Sequence, residues 1–366
     1  MAKHNPKNER IKHKYLAYLE EAKRMAPASA EAAAAAIALF EDSTGFKDFA
    51  AFHIEQARRF KRLLNDAANP KTGKPLAKST IHSRLMTVKA FFHWLAGQPG
   101  YKSRITYADC EYFNPSANDS RIATAKRPKR TPTPEQIKHV LSVLSHSTPI
   151  EKRDRALIAF AYLSGARDDA IASLNLGHVD FEKRSIFQDA RMVRTKNRKT
   201  FTSDFFPVGE EIESIVGDWL SFLADEMRFG PDDPLFPSTL VQRNDDGLFA
   251  PTGLSRQHWR NADAIRRIFR QSFGAAGLPY FHPHSFRRTL ALLGQKLCKT
   301  PEALKAWSQN LGHDAVLTTF TSYGEISPER QSEIMQTFSE GGPASASESP
   351  PPEAIEWMKR QLKGNR

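Results

Sequence analysis

A series of short segments between residues 163 and 324 carries side chains suited to displacement at a phosphodiester: Leu163-Ser164-Gly165-Ala166-Arg167, Val193-Arg194-Thr195-Lys196-Asn197-Arg198-Lys199, His282-Pro283-His284-Ser285-Phe286-Arg287-Arg288-Thr289, Leu311-Gly312-His313 and Tyr323-Gly324. Without a metal, such chemistry needs an in-line nucleophile, fixed positive charges on the non-bridging oxygens and an acid for the leaving hydroxyl. Arginine suits the second task, because its planar fork grips phosphate with two hydrogen bonds and stays charged at any working pH. Arg167 follows a glycine break at the end of an apolar helix, where it could also cap carbonyls. His284 and Arg287 stand three apart on one helix face and could grip one phosphate. Gly312 permits a tight turn presenting His313. A lysine in the basic tip around 193–199 could protonate a departing 5′ oxygen, although the same residues also fit a solvated turn on a phosphate backbone. Tyr323 is the only tyrosine after the histidine segments, and its own surroundings suit a packed ring as well as a nucleophile.

Taken together and in order, Arg, hairpin Lys, His-x-x-Arg, Leu-Gly-His and Tyr resemble the tyrosine recombinase (phage integrase) family over residues 133–340. The segment 79–95, ending in Phe91-Phe92-His93-Trp94-Leu95, resembles the last long helix of that family's core-binding domain. The resemblance implies a site-specific DNA recombinase or integrase that cleaves and rejoins strands through a 3′-phosphotyrosyl intermediate, with no metal, ATP or other cofactor. It implies Arg167 and Arg287 as the phosphate clamp, Lys196 as the hairpin acid with Lys199 open as the alternative, and His284 in proton transfer. His313 would hydrogen-bond the phosphate, and Tyr323 would be the nucleophile. Three positions depart from the family pattern. Ala170 stands where an acid usually lies three residues after the first arginine, preceded by Asp168 and Asp169. Ser322 occupies the usual tyrosine spacing from His313, one residue before Tyr323, and Arg288 replaces a histidine.

Two other functions fit parts of the chain. One is a DNA-binding protein of the same fold that has lost turnover. The other is a metal-dependent nuclease using Asp232, Asp233, Asp245, Asp246 and the histidines, although these acids sit in turn-rich segments without metal-ligand spacing.

The elements that must position these groups are mainly α-helical, with a small antiparallel β-sheet. Apolar residues at three and four spacings predict three helices from Glu9 to about Leu64, with the alanine run 32–36 packed closely rather than disordered. Ser79 is expected to cap a further helix whose stripe Ile81, Leu85, Val88, Phe91, Phe92 and Leu95 is buried, leaving His82, Arg84 and Lys89 on a basic face. Thr133-Pro134-Glu135-Gln136 reads as a capping box with a first-turn proline. Strands are expected at 179–181, 185–187 and 205–208, with helices dominating from Glu210 to Glu340. The organisation is therefore a helical core-binding domain at 1–118, a basic linker at 119–132, an α+β catalytic domain at 133–340 and a tail at 341–366. Within that tail Ala354, Ile355, Met358 and Leu362 form a short amphipathic helix.

Lys and Arg number 53 against 41 Asp and Glu, a formal charge of +12, which favours a polyanionic partner. Double-stranded DNA is the expected partner, contacted through Arg84, Lys89, Lys126, Arg127, Lys129, Arg130, Arg194, Arg198, Lys199 and Arg288. A homo-oligomer assembled on DNA through the terminal helix is expected. Cys110 and Cys298 are far apart, which supports neither a disulfide framework nor a zinc knuckle. No stretch approaches the roughly 18 apolar residues of a membrane span, and no apolar leader follows the charged start. The expected setting is cytoplasmic and nucleoid-associated, in a bacterium or phage-infected cell.

Overall fold

The computed structural model describes residues 4–70, 72–125, 130–243 and 247–313. Tyr323 and the amphipathic segment at 354–362 lie outside the described residues, as do Lys126, Arg127, Lys129, Asp245 and Asp246. The chain divides into two compact units, Met1–Arg127 and Pro128–Arg366.

The first unit is helical: α1 Pro6–Ala17, α2 Pro27–Ser43, α3 Ile54–Asp66, α4 Lys78–Ala96, α5 Tyr107–Cys110 and α6 Ala117–Thr124. All six residues of the predicted α4 stripe are buried. They meet an aromatic cluster in which the Phe40 ring stands edge-on to Phe92 at 5.1 Å and to Phe60 at 5.2 Å, the geometry that ring quadrupoles favour. The alanine run is helix, with Ala33, Ala36, Ile37 and Phe40 facing the core. Helix α4 starts two residues earlier than expected. Ala77 is its N-cap, Ser79 lies inside the first turn, and no side chain caps the end. Lys78 instead bridges Asn65 at 2.8 Å and Asp119 at 2.8 Å, fixing that end to α3 and α6. Helix α6, capped by Ser116, reaches into the stretch read as linker.

In the second unit, α7 Pro134–Val143 opens on the predicted box, with Gln136 N–H donating to Thr133 Oγ1 and Thr133 N–H to Gln136 Oε1. A second box, Thr148 with Glu151, starts α8 Pro149–Ser164, earlier than apolar periodicity alone suggested. From Ala156 to Ser164 every residue of α8 is buried, which makes it the central helix of the unit. The short α9 Asp168–Ile171 leads to an antiparallel sheet of β1 Val179–Asp180, β2 Ser185–Gln188 and β3 Phe201–Asp204 in that order. The third strand is displaced from its expected place at 205–208. In β3, Ser203 faces in and hydrogen-bonds Gln188 at 3.3 Å. Phe205, Phe206 and Val208 leave the sheet and enter the core, where Phe206 N–H donates to Leu163 O at 2.8 Å.

After α10 Glu210–Ser221, a second antiparallel pair, β4 Thr239–Arg243 and β5 Phe249–Leu254, interrupts a region expected to be helical. Helices α11 Asp263–Ala275, α12 His284–Leu297 and α13 Pro301–Asn310 complete the described fold. Among the described residues no helix is long and apolar enough to cross a membrane.

Candidate active site

Because the second half of α8 is buried on all sides, its C-terminus must be satisfied inside the protein. Ser164 Oγ donates to Phe160 O at 2.6 Å and accepts from Ala166 N–H at 3.1 Å. Gly165 then turns the chain at φ +60°, and a Cβ there would lie 3.0 Å from Leu290 and Phe206 and 3.1 Å from Leu311. Arg167 follows in an extended conformation as the residue before α9. The Gly165 carbonyl points at α12 and accepts a hydrogen bond from Arg287 Nη1.

Arg287, in the first turn of α12, is 2% exposed. Its Nη2 donates to Leu311 O at the end of α13 and lies 3.2 Å from His313 Nε2. An arginine only donates, so His313 Nε2 accepts and its proton sits on Nδ1. Gly312, at φ +68°, permits that turn, and a Cβ there would lie 2.8 Å from the Phe201 ring of β3. One guanidinium thus joins the Gly165–Arg167 junction, the His284–Arg287 turn and the Leu311–His313 turn, which are scattered over some 150 residues of sequence.

Both histidines are held neutral near pH 7. Desolvation, then the charges of Arg287 and Arg167, push His313 down to about 3. The same causes push His284, which is solvent-exposed, down to about 4. Lys199 is among the cations acting on His313, and its ammonium lies 5.8 Å from the centre of the Phe201 ring beneath Gly312. Lys196 is exposed in a turn at 196–198, where Asn197 takes φ +60°. Of the two hairpin lysines, Lys199 is the one brought beside the cluster.

The side chains that hold this cluster were not read in that role from sequence: Asp168 and Asp169 were noted only beside Ala170, and Arg194 only as a DNA contact. Ala170 is buried at 1% exposure and supplies no charge. Asp168 accepts from Arg266 Nε of α11 at 2.9 Å and lies 4.0 Å from His282 Nε2. His282 Nδ1 in turn accepts from His284 N–H at 3.1 Å, which fixes the start of α12. Asp169 accepts from Arg194 Nε at 3.0 Å. The signal available in sequence was the pair of acids directly after Arg167, at a helix start where negative charge is favoured.

Several residues read as DNA contacts are engaged within the protein. Arg194 is bound to Asp169 and to Trp259 O, and Lys89 hydrogen-bonds Glu111 at 2.9 Å and Asn114 at 3.0 Å. Arg130 and Arg198 are exposed, while Arg84 and Arg288 are half-buried. Asp233, considered above as a metal ligand, accepts from Gly230 N–H and Arg256. Among the described residues no three His, Cys, Asp or Glu side chains gather as metal ligands.

A sequence model of the phage integrase family matches residues 130–330. Tyrosine recombinase XerC of Escherichia coli O157:H7 is 23% identical over 313 residues, covering 84% of this chain and 88% of the relative. Tyrosine recombinase XerC of Alcanivorax borkumensis is 25% identical over 242 residues, covering 66% and 67%. Among solved structures, a lambda integrase dimer bound to a COC′ core site has a TM-score of 0.58 at 10% identity, covering 87% of this chain and 96% of that one. The Tn1549 transposon integrase in complex with a circular intermediate DNA has a TM-score of 0.55 at 14% identity, covering 90% and 99%.

Proposed function

The chain belongs to the phage integrase family of tyrosine-type DNA recombinases, and from that premise we propose that it cleaves and rejoins double-stranded DNA through a covalent bond between Tyr323 and a 3′ phosphate. The observation that carries the reading is the buried Arg287 guanidinium bound to the Gly165 and Leu311 carbonyls and beside His313, with Arg167, His284 and Lys199 close enough for their charges to act on His313.

In the proposed step, Arg167 and Arg287 hold the non-bridging oxygens of the scissile phosphate and stabilise the charge of the pentacoordinate transition state. The phenolic proton of Tyr323 passes to neutral His284 while the phenolic oxygen bonds to phosphorus. The bond from phosphorus to the 5′ oxygen breaks, and that oxygen takes a proton from Lys199. His313, oriented by Arg287, keeps its proton and donates an Nδ1–H hydrogen bond to the phosphate. Attack by the 5′ hydroxyl of a partner strand reverses each transfer and releases Tyr323. The phosphotyrosyl diester conserves the energy of the broken bond, so no nucleotide hydrolysis enters the cycle. Copies assemble on DNA as dimers or tetramers, with the segment at 354–362 as the link between them.

The substrate is to be sought as inverted repeats about a short spacer in the DNA bordering the gene. On a nicked suicide duplex of that sequence, Tyr323→Phe is expected to abolish covalent protein–DNA product while leaving DNA affinity unchanged. Undiminished covalent product from this variant would overturn the reading. Covalent product should also form in excess chelator; a strict requirement for a divalent cation would favour the nuclease reading.

A further inference from the structure

The polar loop between β2 and β3 is not one free arm. Its first leg is fixed at three points: Val193 is buried in the core at 2% exposure, Arg194 N–H donates to Ser173 Oγ at 2.9 Å, and the Arg194 guanidinium binds both Asp169 and Trp259 O. Its far leg is fixed where Ala190 N–H donates to Thr200 Oγ1 at 3.0 Å. Only residues 195–199 arc between these anchors, and they carry both lysines. Asp169 stands two residues after Arg167, in the first turn of α9. The Arg194–Asp169 contact therefore ties the base of the lysine-bearing arc to the arginine junction of the active site.

We propose that Asp169 and Arg194 are positioning residues that hold the β2–β3 loop so that Lys199 reaches the leaving 5′ oxygen. Anchoring both legs shortens the arc and reduces the conformational freedom that must be lost when the lysine engages its target. A proton donor misplaced by about 1 Å can lose on the order of a hundredfold in rate. Asp168, bound to Arg266 and 4.0 Å from His282, faces α11 and the start of α12 instead, so the two adjacent acids anchor different elements.

This inference rests on Lys199 as the acid, and the test separates the two claims. Suicide duplexes are prepared with either oxygen or sulfur bridging phosphorus to the 5′ carbon at the scissile position, because a thiolate leaves without a proton donor. Asp169→Asn and Arg194→Ala are each expected to slow covalent product formation about 10- to 100-fold on the oxygen duplex, and to fall within about threefold of the unmodified protein on the sulfur duplex. Asp169→Asn should not weaken DNA binding, which separates this role from a phosphate contact by Arg194. Equal slowing on both duplexes, or no slowing on either, would overturn the inference. Lys199→Ala serves as the reference. If sulfur fails to restore its rate, Lys199 is not the acid; if sulfur restores Lys199→Ala but not Asp169→Asn, the positioning role alone fails.

Discussion

Arg287 has almost no contact with water, and its charge faces two main-chain carbonyls and a histidine that is itself held neutral. Those contacts fix the orientation of the guanidinium before any phosphate arrives, the kind of preorganisation that lowers a barrier without reorganisation at the moment of reaction. They also make the site sensitive to acid. His313 and His284 have folded-state values of about 3 and about 4, below the roughly 6.5 of an unfolded histidine. Between those limits the unfolded chain binds more protons than the folded one, so the contribution is fully present above about pH 6.5 and is lost as pH falls through the window. Thermal unfolding of the DNA-free protein is expected at a lower temperature at pH 5 than at pH 7, and His313→Gln should flatten that dependence. An unchanged slope in the variant would remove His313 from the account. At this scale the sequence was informative about identity and silent about support. Arg167, His284, Arg287 and His313 could be nominated from order and spacing, but the pairing of Asp168 with Arg266 and of Asp169 with Arg194 could not, because it joins positions far apart in the chain.

The elements were legible where the local signal and the tertiary demand agree. The stripe of α4 and the Thr133 capping box survive unchanged because the residues that make the helix favourable also face the core or the orphan amides. Elsewhere the two diverge. The run Phe205-Phe206-Pro207-Val208 looks like a strand, yet its burial is met by the core of the unit, while the more polar Phe201–Asp204 pairs with β2. The β4–β5 hairpin was missed although Asn244-Asp245-Asp246-Gly247 is a turn signal, since its strands expose Val241 and Phe249 and show no inward alternation. The most exacting element boundary is the end of α8. Gly165 combines a left-handed backbone with contacts on three sides, so Gly165→Ala is expected to destabilise the second unit by about 2 to 4 kcal/mol, from backbone strain and overpacking together. Urea unfolding measures this directly, and a change under about 0.5 kcal/mol would contradict the packing described.

At the scale of the molecule, two compact units and a formal charge of +12 suit a protein that engages a long polyanion. DNA affinity should fall steeply with salt, with a linear dependence of log affinity on log salt concentration whose slope counts the phosphates neutralised. The tail carries the remaining proposal. Truncation after Gly342 should leave binding to a single half-site intact and reduce assembly of higher complexes on a full site, as read by gel mobility. Unaltered assembly would assign the link between copies to another surface.

Everything proposed about the chemistry converges on Tyr323, whose nomination comes from the ordered set of residues before it rather than from its own surroundings. The direct measurement is to trap the wild-type protein on a suicide duplex, digest protein and DNA, and locate the nucleotide adduct by mass spectrometry. Cleavage at Lys305 and Arg330 releases a tryptic peptide, Ala306 to Arg330, in which Tyr323 is the one tyrosine. The account predicts a phosphate-linked nucleotide on that tyrosine. An adduct on any other residue would contradict it.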